Sequence, residues 1–188
     1  MREKEKQLIE KVLKGDTSSF GYFVSTYQDM ALTVAYRICK NRQDAEDIVQ
    51  ESFVRAFHNL HTFRFTSKFS TWLYRIVYNT TVSQLQTSFF STEFTEYEQM
   101  GGQNLYSDMD AVATMESAER SAVINNILDR MPSEESLVLT LFYLEENSVK
   151  ELAQMLSLTE ANVKVRLHRG RKRFAELVSE LSLENVLK

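Results

Sequence analysis

Residues 148–174, SVKELAQMLSLTEANVKVRLHRGRKRF, decide how this chain is read. Val149, Leu152, Ala153 and Leu156 fall at i, i+3, i+4 and i+7, the spacing of a single buried helix face. Ser148 and Glu151 form a capping box, in which each side chain takes up a free backbone donor near the other, so the helix has a defined start. Ser157 and Leu158 break the pattern, and Thr159 is placed to accept from the first-turn amides of a second helix. In that helix Val163, Leu167, Phe174, Leu177 and Leu181 recur at steps of three, four or seven. Six of the thirteen residues 162–174 are cationic (Lys164, Arg166, Arg169, Arg171, Lys172 and Arg173), and they lie largely off that stripe. Two helices joined by so tight a turn predict a helix-turn-helix, whose second helix enters the major groove of DNA.

The basic run stands out because the chain as a whole is acidic, with 22 Lys and Arg against 26 Asp and Glu and a net charge of −4. A local reversal of sign points to a polyanion. A solvated basic helix in an ordinary bundle is the competing reading, and the capped helix and turn in front argue against it. The 188 residues are 43% hydrophobic, with one proline and five glycines, which suits a mostly helical protein of one or two modest cores. No apolar run approaches the roughly 20 residues of a bilayer span, and the N-terminal MREKEKQ lacks a signal peptide's apolar region, so a cytosolic chain is expected. Cys39 is alone, which excludes a disulfide within the chain and predicts a small buried hydrophobe.

Upstream, periodicity predicts four helices. Leu8, Ile9, Val12 and Leu13 mark the first, ending near Gly15, with Asp16 as a cap for the next. Phe20, Phe23, Val24, Tyr27, Ala31, Val34, Ala35 and Ile38 hold helical spacing for about five turns. A third helix is expected to start with Asp44 as its cap and to bury Ala45, Ile48, Val49, Ser52, Phe53, Ala56, Phe57 and Leu60. After a loop over 61–68, a fourth helix carries Trp72, Leu73, Ile76 and Val77 inward to about residue 86. No lysine or arginine occurs from Ile76 through Glu119, while acidic residues accumulate, and Gly101-Gly102 interrupts any pattern. This predicts a flexible acidic linker over 89–116, although Phe89, Phe90, Phe94 and Tyr97 are able to dock. Apolar spacing resumes with Ala122, Ile124, Ile127 and Leu128; Pro132-Ser133 then punctuates, and Leu137, Leu141 and Leu144 continue a second core. The expected architecture is all-α, with two small helical domains (1–88 and 117–188) on either side of the linker.

Three segments in this order, DAEDIVQESFVRAF (44–57), FSTWLYRIVYN (69–79) and ANVKVRLHRGRKRF (161–174), resemble the extracytoplasmic-function class of bacterial sigma factors. The resemblance covers nearly the whole chain. It implies a subunit that binds core RNA polymerase, directs it to promoters and helps to open the duplex. In the family the DAED helix docks on the clamp helices of the largest polymerase subunit. Here Asp44, Asp47 and Glu51 share one helix face, beside Gln50 and Arg55. The second segment corresponds to the part that captures the minus-10 element, with a flipped base received by the preceding loop. That implies His61, Phe63, Arg64, Phe65, Ser67 and Lys68, followed by Arg75 and Asn79, whereas Trp72 is open between base stacking and the core. In the C-terminal domain, resemblance and helix geometry agree on the minus-35 element. Lys164, Val165, His168 and Arg169 are placed for base edges and Arg166, Arg171 and Arg173 for phosphates, with Thr159 at the helix start. Neutralising about four to six phosphates predicts a log-log salt slope of roughly −4 to −5. The flap tip of polymerase and an anti-sigma factor are further partners that the resemblance implies.

Departures from the family pattern are local. Where an aspartate and an arginine run are common, this chain has Ser83, Gln84, Leu85, Gln86 and Thr87, which predicts a weak grip on the minus-10 side. Ser157 replaces a turn glycine, and Gly170 stands where alanine is usual. No catalytic residue, cofactor or metal is expected. The residues three before His58, His61 and His168 are Arg55, His58 and Val165, so no Glu-x-x-His pair exists, and HExxH and clustered cysteines are absent. A stand-alone helix-turn-helix regulator is the alternative, opposed by the motifs of the separate N-terminal domain.

Overall fold

A computed structural model describes residues 3–85 and 117–186, with side chains described over 3–85 and 121–181. The expected linker, residues 89–116, and Gln86 and Thr87 lie outside the described residues. Within them the chain is all-α. The N-terminal cluster comprises α1 (Glu3–Leu13), α2 (Gly21–Cys39), α3 (Arg42–His58) and α4 (Phe69–Gln84), with short 3-10 turns at Thr17–Phe20 and Leu60–Thr62. The C-terminal cluster comprises α5 (Ser117–Arg130), α6 (Ser133–Leu139), α7 (Val149–Leu156) and α8 (Glu160–Val186).

Helices α2, α3 and α4 pack against one another, each burying the stripe that its spacing sets. Phe23, Ala31, Val34 and Ala35 of α2 meet Ala45, Ile48 and Ala56 of α3 and Phe69, Leu73 and Val77 of α4. An aromatic group seals one end, with Phe69 4.3 Å from Phe23 and 5.6 Å from Trp72 between ring centroids. Ile9 and Val12 of α1 join this core, while Leu13 at its end is exposed.

Local chemistry corrects two predicted helix starts. Asn41, in extended conformation, caps α3: its side-chain oxygen accepts from the amides of Gln43 at 2.9 Å and Asp44 at 3.3 Å. Asp44 is therefore inside the first turn, where a carboxylate favours the positive end of the helix dipole. Asp16 precedes a 3-10 turn and accepts from the hydroxyls of Ser18 (2.5 Å) and Ser19 (2.7 Å), which hold its carboxyl below the usual range. Cys39 is only half-buried, its thiol 3.1 Å from the Asn41 carbonyl, because it sits at the end of α2.

In the C-terminal cluster α6 and α8 form the main packing, with Leu137 and Leu141 buried against Val163 and Leu167. Ala122 of α5 is exposed, and so is Leu144. The reason for Leu144 is a π-helical turn, Thr140–Leu144, that continues α6. The wider turn rotates successive residues by less than an α-helix does, so the seven-residue step from Leu137 no longer returns to the same face. Tyr143 and Leu144 are carried outward instead. At Gly170 the α8 backbone packs tightly against α6: a Cβ there would stand 3.1 Å from Leu139 Cγ.

The two clusters touch: α4 runs along α7, and α2 meets α6. Arg37 of α2 is 2% exposed and reaches α5, donating to Asn125 Oδ1 at 2.8 Å and pairing with Asp129. Burial disfavours its charged form, and Asp129 opposes that effect. Lys68, which precedes α4, lies 3.0 Å from Glu151 of α7, and the Tyr74 hydroxyl donates to Glu145 at 3.1 Å.

Candidate nucleic-acid interface

The helix-turn-helix is built as its caps dictate. Ser148 Oγ accepts from the Glu151 amide at 3.2 Å, and Glu151 Oε2 accepts from the Ser148 amide at 2.8 Å, which completes the capping box. Burial would raise the Glu151 carboxyl, but the bonds from Ser148 and Lys68 outweigh it and hold the group below its ordinary value. α7 ends at Ser157, whose φ of 56° and ψ of 40° are left-handed, the conformation that favours glycine. Thr159 Oγ1 then accepts from the Asn162 amide at 3.1 Å, so the N-cap of α8 is where its chemistry predicts.

The basic residues of α8 divide into two sets. Lys164, His168 and Lys172 are exposed at i, i+4 and i+8, forming one row along the helix. Val165 beside them is half-buried. Lys172 was not among the predicted contacts; its position four residues after His168 was the available signal. Arg166 departs from the predicted phosphate role. It is 7% exposed and turned into the protein, with Nη2 3.3 Å from Glu134 of α6 and Nη1 on Asn162. Its spacing puts it beside Leu167 on the face that meets α6. Arg171 is likewise engaged: its Nε donates to the Tyr143 hydroxyl at 2.9 Å, and its guanidinium lies 5.6 and 5.7 Å from the Phe142 and Tyr143 ring centroids. The π-helical turn is what presents that tyrosine. Arg173 is exposed and pairs with Glu176 at 3.1 Å. Arg169 is half-buried near Glu135, whose carboxyl is raised by burial and lowered in part by Arg169.

In the N-terminal cluster the loop before α4 separates its aromatic residues. Phe63 is 5% exposed and packs on Phe69 and Trp72 with centroids at 5.8 and 5.4 Å, so it belongs to the core rather than to a surface for a base. Phe65 is 37% exposed and has a φ of 59°. A positive φ at a bulky residue is strained, and such strain concentrates at functional sites. Trp72 is half-buried, with one side on Phe63 and Phe69. His61, Arg64, Lys68, Arg75 and Asn79 are exposed, and Ser67 is half-buried. The His61 ring nitrogen Nδ1 donates to the His58 carbonyl at 3.0 Å.

On α3, Asp44, Asp47, Gln50 and Arg55 are exposed, while Glu51 is half-buried. Glu51 Oε1 accepts from Arg55 Nη2 at 2.5 Å and from Arg55 Nε at 2.8 Å, and Gln84 of α4 donates to its other oxygen. The free negative charge of this face therefore rests on Asp44 and Asp47. Val54 is 55% exposed next to it, an apolar residue on the same outer surface that spacing alone left unassigned. Among the described residues no group of His, Cys, Asp or Glu has the geometry of a metal site, and no helix is long and apolar enough to cross a membrane.

A capped helix-turn-helix with a basic outer row, beside a second helical cluster with an acidic face and an aromatic loop, defines a DNA-binding transcription protein. Two family models match in that order: sigma-70 region 2 over residues 23–88 and sigma-70 region 4 over residues 121–174. The chain is 33% identical over 185 residues to the ECF RNA polymerase sigma factor SigW of Bacillus subtilis, covering 94% of this chain and 97% of that one. It is 29% identical to the RNA polymerase sigma-H factor of Pseudomonas aeruginosa, over 97% of this chain and 98% of that one. Among solved structures, CnrH in complex with the cytosolic domain of CnrY superposes with a TM-score of 0.62 at 21% identity, covering 92% of this chain and 96% of that chain. The sigma factor RpoE in complex with the anti-sigma factor NepR from Bartonella quintana gives 0.60 at 18%, covering 85% and 96%. The chain belongs to the extracytoplasmic-function class of sigma-70 family RNA polymerase sigma factors. As such it binds core RNA polymerase and directs promoter-specific initiation through its region 2 and region 4 parts.

Proposed function

We propose that the minus-35 element is read by Lys164, Val165, His168 and Arg169, with Thr159 at the helix entrance and Lys172 added as a phosphate contact. The observation that carries this reading is the exposed row Lys164, His168, Lys172 on the second helix of the helix-turn-helix. Lysine suits guanine or phosphate, and valine suits a thymine methyl. Arg173 remains a phosphate candidate because its partner Glu176 is on the same exposed surface. Arg166 and Arg171 serve instead to fix α8 on α6.

On the minus-10 side, Phe65 is the aromatic best presented to an unstacked base, with His61, Arg64, Ser67, Lys68, Arg75 and Asn79 around it and Trp72 offering its open edge. The clamp helices of polymerase dock on Asp44, Asp47, Gln50, Glu51 and Arg55, and Val54 adds apolar contact. The flap tip is held by the C-terminal domain, residues 117–188, and residues 1–88 act as the region 2 domain. An anti-sigma factor is a further partner, a reading supported by the two similar structures, CnrH in complex with the cytosolic domain of CnrY and RpoE in complex with the anti-sigma factor NepR. The protein works in the cytoplasm.

Run-off transcription with purified core polymerase tests the reading. The protein should confer initiation at a cognate promoter, and charge reversal at Lys164 should abolish it there while leaving polymerase binding intact. Specific duplex binding without polymerase, as a dimer on a palindrome, would instead identify a stand-alone regulator.

A further inference from the structure

Asn162 stands in the first turn of α8, just after the Thr159 cap, and is not among the minus-35 contacts assigned above. Residues at the start of a recognition helix are the ones that meet base edges. Asn162 is half-buried, and its neighbours one turn further on are Val165, also half-buried, and Arg166, which is turned in towards α6. It therefore sits at the border between the outer row and the packed face.

Three links fix the orientation of its amide. Thr159 Oγ1 accepts from the Asn162 backbone amide at 3.1 Å, which sets the backbone of the first turn. Glu134 of α6, 3.3 Å from Nη2, holds the Arg166 guanidinium. Arg166 Nη1 in turn donates to Asn162 Oδ1. A guanidinium carries only donors, so the end of the amide that faces Arg166 is the oxygen. The Nδ2 end is turned away from that guanidinium, and among the described residues nothing accepts from it.

An asparagine free to turn reads adenine, giving a hydrogen to N7 and accepting one from N6. With its oxygen committed to Arg166, Asn162 cannot set oxygen and nitrogen against the same base. It keeps two hydrogens to give, which suit a base edge that only accepts: guanine through O6 and N7, or thymine through O4. Resting on the minus-35 reading above, we infer that Asn162 is a further base contact, a hydrogen donor to a guanine or thymine edge, with Arg166 as its positioning residue. Arg166 thus acts on sequence preference from a buried site, without touching DNA.

The test uses the full chain assembled with core polymerase, on promoter fragments in which each minus-35 base pair is varied in turn, read by competition anisotropy. The wild type should prefer guanine or thymine at one base pair by about fivefold, the worth of a single hydrogen bond. Asn162→Asp still accepts from Arg166 but has no hydrogen to give. It should lose that preference and keep its Tm and its discrimination at the other base pairs, which a merely structural role would not produce. The added charge weakens every fragment alike, so the ratio between fragments is the quantity read. Arg166→Met frees the amide to turn, and the same base pair should shift towards adenine; circular dichroism at the assay temperature checks the fold, and Asn162→Asp stands as the test if that variant unfolds. Equal preference in the wild type and Asn162→Asp overturns the donor contact. So does a uniform loss in Asn162→Ala with a salt slope shallower by about 0.9, which marks a phosphate contact. Wild-type preference in folded Arg166→Met overturns the positioning role. Should Lys164→Ala leave discrimination untouched at every base pair, the reading of the outer row fails instead, whatever Asn162 does.

Discussion

Replacing Arg166 by methionine should destabilise the protein while leaving its salt-dependent grip on DNA unchanged. The side chain is 8% exposed and pairs with Glu134, itself 31% exposed. Breaking a fully buried pair costs about 3–5 kcal/mol because the remaining charge is stranded. Glu134 retains access to water, so a cost of about 2 kcal/mol is expected, with methionine filling most of the vacated volume. That is roughly thirtyfold in the unfolding equilibrium, and in a chain of this size a fall of about 4–8 °C in Tm. Thermal and urea unfolding measure the first effect; anisotropy of the holoenzyme on promoter DNA across a salt series measures the second. A phosphate contact would remove about 0.9 from the log-log slope on mutation. Lys172→Ala is the counterpart, expected to lose that 0.9 with an unchanged Tm. An unchanged midpoint for Arg166→Met, combined with a shallower slope, would refute the inward assignment and return this arginine to the DNA.

Three further outcomes follow from local geometry. Gly170→Ala should gain about 1 kcal/mol of helix propensity but crowd Leu139 at 3.1 and 3.3 Å, for a net loss of about 1 kcal/mol in urea denaturation; adding Leu139→Ala should relieve the crowding, and stabilisation by Gly170→Ala alone would contradict it. Ser157→Gly should raise stability by about 0.5 kcal/mol, since the left-handed backbone at φ 56° penalises a Cβ, and a lower urea midpoint would argue against strain there. Tyr78 is pushed up to about 12 by burial and then by Glu134, against the pull of Arg166. The native state therefore keeps a proton that an unfolded tyrosine loses near pH 10, and this group's contribution to stability should fall between pH 10 and 12 by at most about 1.4 kcal/mol per pH unit, beside that of Tyr74, which burial also raises. Tyr78→Phe should flatten that decline, and an identical pH profile for the variant would rule the assignment out.

Caps and stripes were legible in the sequence because they depend on residues a few positions apart. Ser148 and Glu151, Thr159 and Asn162, and the apolar spacing of α2, α3 and α4 all stand where local chemistry put them. The motifs were enough to place the chain in its family, and the basic row Lys164, His168, Lys172 was there to be read. Even local reading had limits: Asn41 capped α3 in place of Asp44, and a π-helical turn rotated Leu144 off its predicted face.

What tertiary structure alone decided is the fate of individual charges. Arg166 lies three residues after buried Val163, but nothing in the sequence names Glu134, on another helix, as its partner, while Lys164 faces solvent. Arg37 finds its partner 92 residues away, and Lys68 is held by a carboxylate that also caps a helix of the other cluster. An arginine's long side chain can follow either face of its helix, so the choice is made by whichever carboxylate the packed neighbour brings within reach. That choice belongs to the packing of α6 on α8 and of one cluster on the other, which no local pattern records.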